Sequence, residues 1–98
     1  VAGRRARGAG RCLARVTGTK SMTGHRLVGA GAVDWIFTIL ALRAGTAPPT
    51  ISLGNMEPAI HIPVAANSPH ERPAGDIAAL NNSFGFGGHD VALVFRSA

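Results

Sequence analysis

Lys20-Ser21-Met22-Thr23-Gly24-His25 and Asn82-Ser83-Phe84-Gly85-Phe86-Gly87-Gly88 are the two stretches of this chain whose residue types can do chemistry. In the first, a histidine stands at the start of a long apolar run that reads as a helix. A neutral imidazole at a helix N-terminus can donate a hydrogen bond to a developing enolate, and the helix dipole there disfavours a second proton. In the second, glycines on both sides of Phe86 let the backbone approach a reacting group and aim an amide N–H at its oxygen. Each residue also has a plainer reading. Taken alone, a histidine near a helix start caps or faces solvent, a lysine is solvated, and Phe84 and Phe86 are strand-end core. Only the motif around each residue lifts it above that.

The elements that must position these groups follow from the pattern between them. His25–Ala44 has no proline, is apolar nearly all round and follows Ser21 and Thr23, either of which can cap an N-terminus, so a buried helix is predicted. Arg43 suits its carbonyl end, and Gly45 can turn left-handed to stop it. Ahead of the first motif, alternation over Leu13, Arg15 and Thr17 predicts a short strand ending near Thr19. Pro48 and Pro49 force an extended path, with a short edge strand expected at Thr50–Leu53. Residues 54–76, carrying Pro58, Pro63, Pro69 and Pro73, read as a surface connection with one extended stretch at Ile60–Val64. Ile77–Leu80 and Val91–Phe95 then read as an antiparallel pair joined by the glycine-rich turn.

Composition narrows the function classes. The 98 residues suffice for one small domain, but 13 Gly and 6 Pro leave a thin core, and the apolar helix face at Trp35, Ile36, Ile39 and Leu40 is expected to lack full cover. The net charge of +5 belongs to Arg4, Arg5, Arg7, Arg11 and Arg15, because the five basic and five acidic residues after position 15 cancel. Residues 1–15 read as a flexible Gly/Ala/Arg-rich arm, an unrelated or misread leader without the interleaved aromatics that would stack on nucleic-acid bases. A lone Cys12 forms no internal disulfide, which makes the cytoplasm the default setting. The strongly apolar run Trp35–Leu42 is well short of the roughly 20 residues of a membrane span, and no secretory signal follows the basic start. The four histidines are not at zinc-ligand spacings, and GFGG lacks the spacing of a dinucleotide loop, so neither a metal nor a cofactor is expected.

Together, KSMTGH before the helix and NNSFGFGG before the last strand, with Ala47-Pro48-Pro49-Thr50-Ile51, Asn55 and Pro58 in order between them, resemble the C-terminal portion of the beta-ketoacyl-acyl-carrier-protein synthases of the 3-oxoacyl synthase II type. The resemblance runs from about Val16 to Arg96 and leaves the leader outside it. It implies an α/β fold: the C-terminal part of a thiolase-like layered structure, usually homodimeric when complete. It also implies a condensing acyltransferase of fatty acid synthesis, acting on acyl thioesters and malonyl thioesters of acyl carrier protein.

In that family a cysteine takes the acyl chain, and two histidines assist decarboxylation and attack. The resemblance maps one of these histidines onto His25, with Lys20 setting the electrostatics of the site and Asp34 in the place of a supporting glutamate. The Phe86 amide becomes half of an oxyanion hole within the Phe84, Gly85, Phe86, Gly87 segment, and the Phe86 ring a gate to the acyl pocket. Asp34, half a helical turn round from His25, is placed to hold Lys20 rather than to touch the histidine. The match is incomplete. Arg26, Leu27 and Val28 stand where the family usually has Leu-Leu-Gly, and Asp90 where it often has asparagine. Cys12 does not fit the nucleophile's context, nor do His61, His70 and His89 fit the second histidine's. This chain alone is therefore expected to lack condensing activity. The rival reading is a non-catalytic truncated product or interaction fragment.

Overall fold

The computed structural model describes residues 2–5, 14–72 and 76–97. Strands β1 (Ala2–Arg5) and β2 (Arg15–Val16) come first, then a one-turn helix α1 (Lys20–Thr23), a 3-10 turn at Leu27–Gly29 and the long helix α2 (Ala30–Ala44). Two short strands, β3 (Thr46–Ala47) and β4 (His70–Glu71), are separated by a long connection, and the chain closes with the hairpin of β5 (Ile77–Phe84) and β6 (Asp90–Arg96). The strands form an antiparallel four-stranded sheet in the order β2-β1-β5-β6 and a separate β3-β4 pair. With α2 packed against β5, this is a small α/β unit.

α2 turns a polar stripe inward. Its buried residues are Ala30, Asp34 and Thr38, one per turn, while Ile36, Phe37, Ile39 and Leu40 are exposed. A helix apolar nearly all round carries almost no directional signal, so the polar groups that need partners decide which side meets the sheet. Thr38 donates to the Asp34 carbonyl at 2.7 Å and accepts from Asn81 Nδ2 of β5 at 3.2 Å. The expected buried helix is thus buried on one stripe only. By length and composition alone, Leu27–Ala44 is also apolar enough to cross a membrane, a stretch longer than the Trp35–Leu42 run. We do not read it as a span, because its polar stripe is what ties it to the sheet.

Several expected boundaries move. The continuous helix from His25 is broken: α1 ends at Gly24, whose φ of 71° is left-handed, and regular helix resumes only at Ala30. Ser21 and Thr23 lie inside α1 and do not cap; Ser21 Oγ donates to the Gly18 carbonyl and accepts the Ile51 N–H instead. At the other end Gly45 stops α2 with φ 66° and takes the last carbonyls with its N–H. Thr50–Leu53 is not a strand. Ser52 has φ 61°, and only Thr50 bridges to Ala66, so the pairing falls to β3 and β4 just outside. Val64 of the expected Ile60–Val64 stretch makes a single bridge to Val16. The strand expected to end near Thr19 is confined to Arg15–Val16. Within the expected flexible arm, Ala2–Arg5 pairs with Ile77–Leu80 of β5, a backbone ladder that a free arm would not make. Cys12 and the rest of residues 6–13 lie outside the described residues.

The side chain of Trp35 carries a local cost. Its indole N–H is buried with no hydrogen-bond partner among the described residues. Removing a buried donor that has no acceptor relieves a desolvation penalty. Trp35→Phe is therefore expected to leave the urea midpoint unchanged or to raise it, by up to about 1 kcal/mol in unfolding free energy. Urea titration followed by far-ultraviolet circular dichroism checks this, and a loss of several kcal/mol would show that the packing of the indole outweighs the penalty on its N–H.

Candidate active site

Lys20 and Asp34 meet although fourteen residues separate them. Asp34 is 6% exposed, and one carboxylate oxygen accepts the Lys20 ammonium while the other takes the Thr19 hydroxyl at 2.6 Å. Burial works to raise the Asp34 carboxyl, but the bonds from Lys20 and Thr19 and the charge of Lys20 outweigh it and hold its pKa below the ordinary value. Thr19 is 3% exposed and sits at the N-cap position of α1, where its side chain caps nothing and turns to Asp34 instead. The sequence reading passed over Thr19. It precedes the motif by one residue and carries no periodic or compositional signal.

His25 lies in the exposed link between α1 and the 3-10 turn. The Leu27 backbone N–H donates to its Nδ1 at 2.9 Å. A ring nitrogen that accepts carries no proton, so the neutral imidazole keeps its hydrogen on Nε2 and offers that edge as a donor. Leu27 itself takes a φ of 48° with a branched side chain, a backbone region that is costly outside glycine. Leu27 and Val28, the latter a departure from the family pattern, stand exposed at this bend.

The glycine-rich turn is tied at its base by the Gly85 N–H, which donates to the His89 carbonyl at 2.8 Å. Gly87 and Gly88 take φ of 80° and 76°, and the Phe84 and Phe86 rings are 77% and 99% exposed. Among the described residues nothing takes the Phe86 N–H. Asp90 opens β6 opposite Phe84 and is exposed.

One close approach joins the first turn of α2 to the glycine-rich motif. A Cβ on Gly31, in the first turn of α2, would lie 3.3 Å from Ser83 Oγ near the end of β5, so the absence of a side chain lets helix and strand close here. The Asn81–Thr38 bond, two residues back on β5 and seven on along α2, fixes their alignment. From this contact the chain leads back through the 3-10 turn to His25 and forward to Phe86. Lys20 is drawn to the same helix by Asp34. His61, His70 and His89 take other places, and His70 Nε2 meets the Arg15 guanidinium at 3.0 Å.

The chain resembles known proteins over most of its length. The family model described as beta-ketoacyl synthase, C-terminal domain, matches residues 2–54. That match begins within the stretch set apart as a leader by the sequence alone. The 3-oxoacyl-[acyl-carrier-protein] synthase 2 of Mycobacterium tuberculosis is 50% identical over 76 residues, which is 78% of this chain and 18% of the relative. The protein of the same name from Mycobacterium leprae gives the same figures. That of Synechocystis sp. is 42% identical over 81 residues, 83% of this chain and 19% of the relative. The chain thus spans less than a fifth of the length of the curated relatives it matches. On the family model and the identity to these relatives, the chain belongs to the beta-ketoacyl synthase family, in the region of that family's C-terminal domain.

Proposed function

We propose that residues 16–98 are the C-terminal portion of a thiolase-like layered condensing domain and contribute one half of its site for joining an acyl thioester to malonyl-acyl-carrier-protein in fatty acid synthesis. His25 presents Nε2–H to the enolate oxygen that develops when the malonyl group loses carbon dioxide. The Phe86 N–H serves as one oxyanion donor for the thioester under attack, with Gly85 and Gly87 setting its direction, and the Phe84 and Phe86 rings border the acyl entrance. Lys20 supplies positive potential and is held in place by Asp34. The nucleophilic thiol, the second histidine and the second oxyanion donor come from residues outside this chain, so the chain by itself does not condense. Acyl carrier protein, a homodimeric assembly, a cytoplasmic setting and catalysis without metal or cofactor belong to the same reading.

The observation that supports it is the close approach of Gly31, six residues beyond His25, to Ser83 of the glycine-rich motif, with an unshared donor on each chain segment: His25 Nε2–H and the Phe86 amide. The rival, a non-catalytic interaction piece, draws on the exposed Ile36, Phe37, Ile39 and Leu40 of α2. A chimera separates the two. In it, the matching segment of the Mycobacterium tuberculosis synthase is replaced by residues of this chain, and decarboxylative condensation is assayed with acyl thioester and malonyl-acyl-carrier-protein. Condensation within about tenfold of the parent is expected. A chimera that folds and binds acyl chains but does not condense would favour the interaction reading.

A further inference from the structure

β6 is the outer strand of the four-stranded sheet, and no described residue pairs with its far edge. Its sequence, Asp90-Val91-Ala92-Leu93-Val94-Phe95-Arg96, has none of the usual devices that blunt an edge: no proline, no bulge and no charge among its five central residues. Which backbone groups point outward follows from the ladder. The Ser97 N–H donates to the Ile77 carbonyl at one end of the hairpin and the Gly85 N–H to the His89 carbonyl at the other. Antiparallel pairs alternate between bonded and non-bonded, so residues 91, 93 and 95 face β5 and residues 90, 92, 94 and 96 hold their N–H and C=O groups toward the open edge.

We propose that this edge is a pairing surface for a second copy of the chain, β6 against β6 antiparallel, with the two-fold axis at Leu93. Such a pair must set outward-pointing residues against each other, which restricts the registers to steps of two. One of these pairs Ala92 with Val94 of the second copy twice over and places Asp90 opposite Arg96 at both ends. Of the permitted registers it alone keeps all seven residues paired, and it alone sets opposite charges directly across from one another. Asp76 occupies Nε and one terminal nitrogen of Arg96, leaving the other terminal nitrogen for Asp90 of the second copy. Val94, 71% exposed, gains the Ala92 of the second copy as cover on the sheet face away from α2. A parallel, in-register stack of the same strand would instead put aspartate on aspartate and arginine on arginine.

The test uses the full 98-residue chain. Sedimentation velocity across a concentration series is expected to show a monomer–dimer equilibrium, and Asp90→Arg, an exposed change, to weaken it at least about tenfold. In a Cys12→Ser background, Leu93→Cys is expected to cross-link as a disulfide dimer under mild oxidation. The central non-bonded pair brings its Cα atoms to about 4.5 Å, within disulfide reach. Ala92→Cys, two residues out of register with itself, is expected to cross-link at least about tenfold more slowly. A chain that stays monomeric, a dimer indifferent to Asp90→Arg, equal cross-linking at positions 92 and 93, or fibres in place of a dimer would each overturn the proposal. If Leu93→Cys fails to fold, Asp90→Arg still decides.

Discussion

Asp34→Ala is expected to lower the unfolding free energy by about 2 kcal/mol, the scale of a lost charged hydrogen-bond pair. The carboxylate joins three elements that are otherwise loosely held: the segment leaving β2 through Thr19, α1 through Lys20, and α2 on which it sits. The buried apolar residues among those described are only Ala30, Ala65 and Ala79. With so little apolar burial, about 2 kcal/mol is a large share of the stability of so small a chain. The effect also has a pH signature. The folded pKa of Asp34 lies below its unfolded value, so in the acid range the unfolded chain binds the proton first and stability rises with pH. The contribution is complete above the unfolded value of about 4 and is lost as pH falls through the lower folded value. Asp34→Asn keeps an acceptor for Thr19 but removes this titration, and should flatten the acid limb of a plot of urea stability against pH. Lys20→Met should act in the opposite sense on Asp34, raising its pKa and moving the acid limb to higher pH. Lys20 is 42% exposed, so the lysine itself loses little solvation in the pair. An Asp34→Asn variant with the parent's stability and the parent's acid limb would show that the carboxylate holds nothing.

The parts of the fold that were legible in the sequence are those written in local chemistry. Gly45 stops α2 because a left-handed residue is needed there, and the β5-β6 hairpin forms because two apolar runs flank a turn of glycines. The start of α2 was not legible. Nothing in His25–Gly29 forbids helix by type, and the bend depends on Gly24 and Leu27 both taking positive φ, one of them at an energetic cost. The facing of α2 was hidden for a related reason: an all-apolar helix has no preferred side until partners such as Asn81 are known. The site divides the same way. Its motifs announced His25, Lys20 and Phe86, whereas Thr19 and the Gly31–Ser83 approach are tertiary facts that spacing along the chain does not encode. Strand pairing at Ala2–Arg5 was likewise invisible, since Gly, Ala and Arg carry little β propensity.

His25→Ala, made in the chimera with the Mycobacterium tuberculosis synthase, is expected to lower condensation about 10²- to 10³-fold, the usual loss on removing one donor to a developing oxyanion. The argument rests on the direction of the ring. Leu27 N–H occupies Nδ1, so a single donor edge remains, and it is solvent-facing and free to meet a substrate oxygen. That arrangement separates the chemistry from acyl loading. Formation of the acyl thioester does not call on the malonyl enolate, so the His25→Ala chimera should still load acyl chains while decarboxylation falls with condensation. His25→Asn offers an amide donor on a shorter arm and should recover part of the loss, which a purely structural role for the ring would not predict. Gly87→Ala is the counterpart on the other motif. Its φ of 80° strains any side-chain-bearing residue, and the strain falls on the turn proposed to aim the Phe86 amide. That variant should slow acyl loading as well as condensation, because the oxyanion donor serves both attacks on a thioester. If His25→Ala slowed loading and condensation equally, the histidine would be acting through the fold of the bend and not on the enolate.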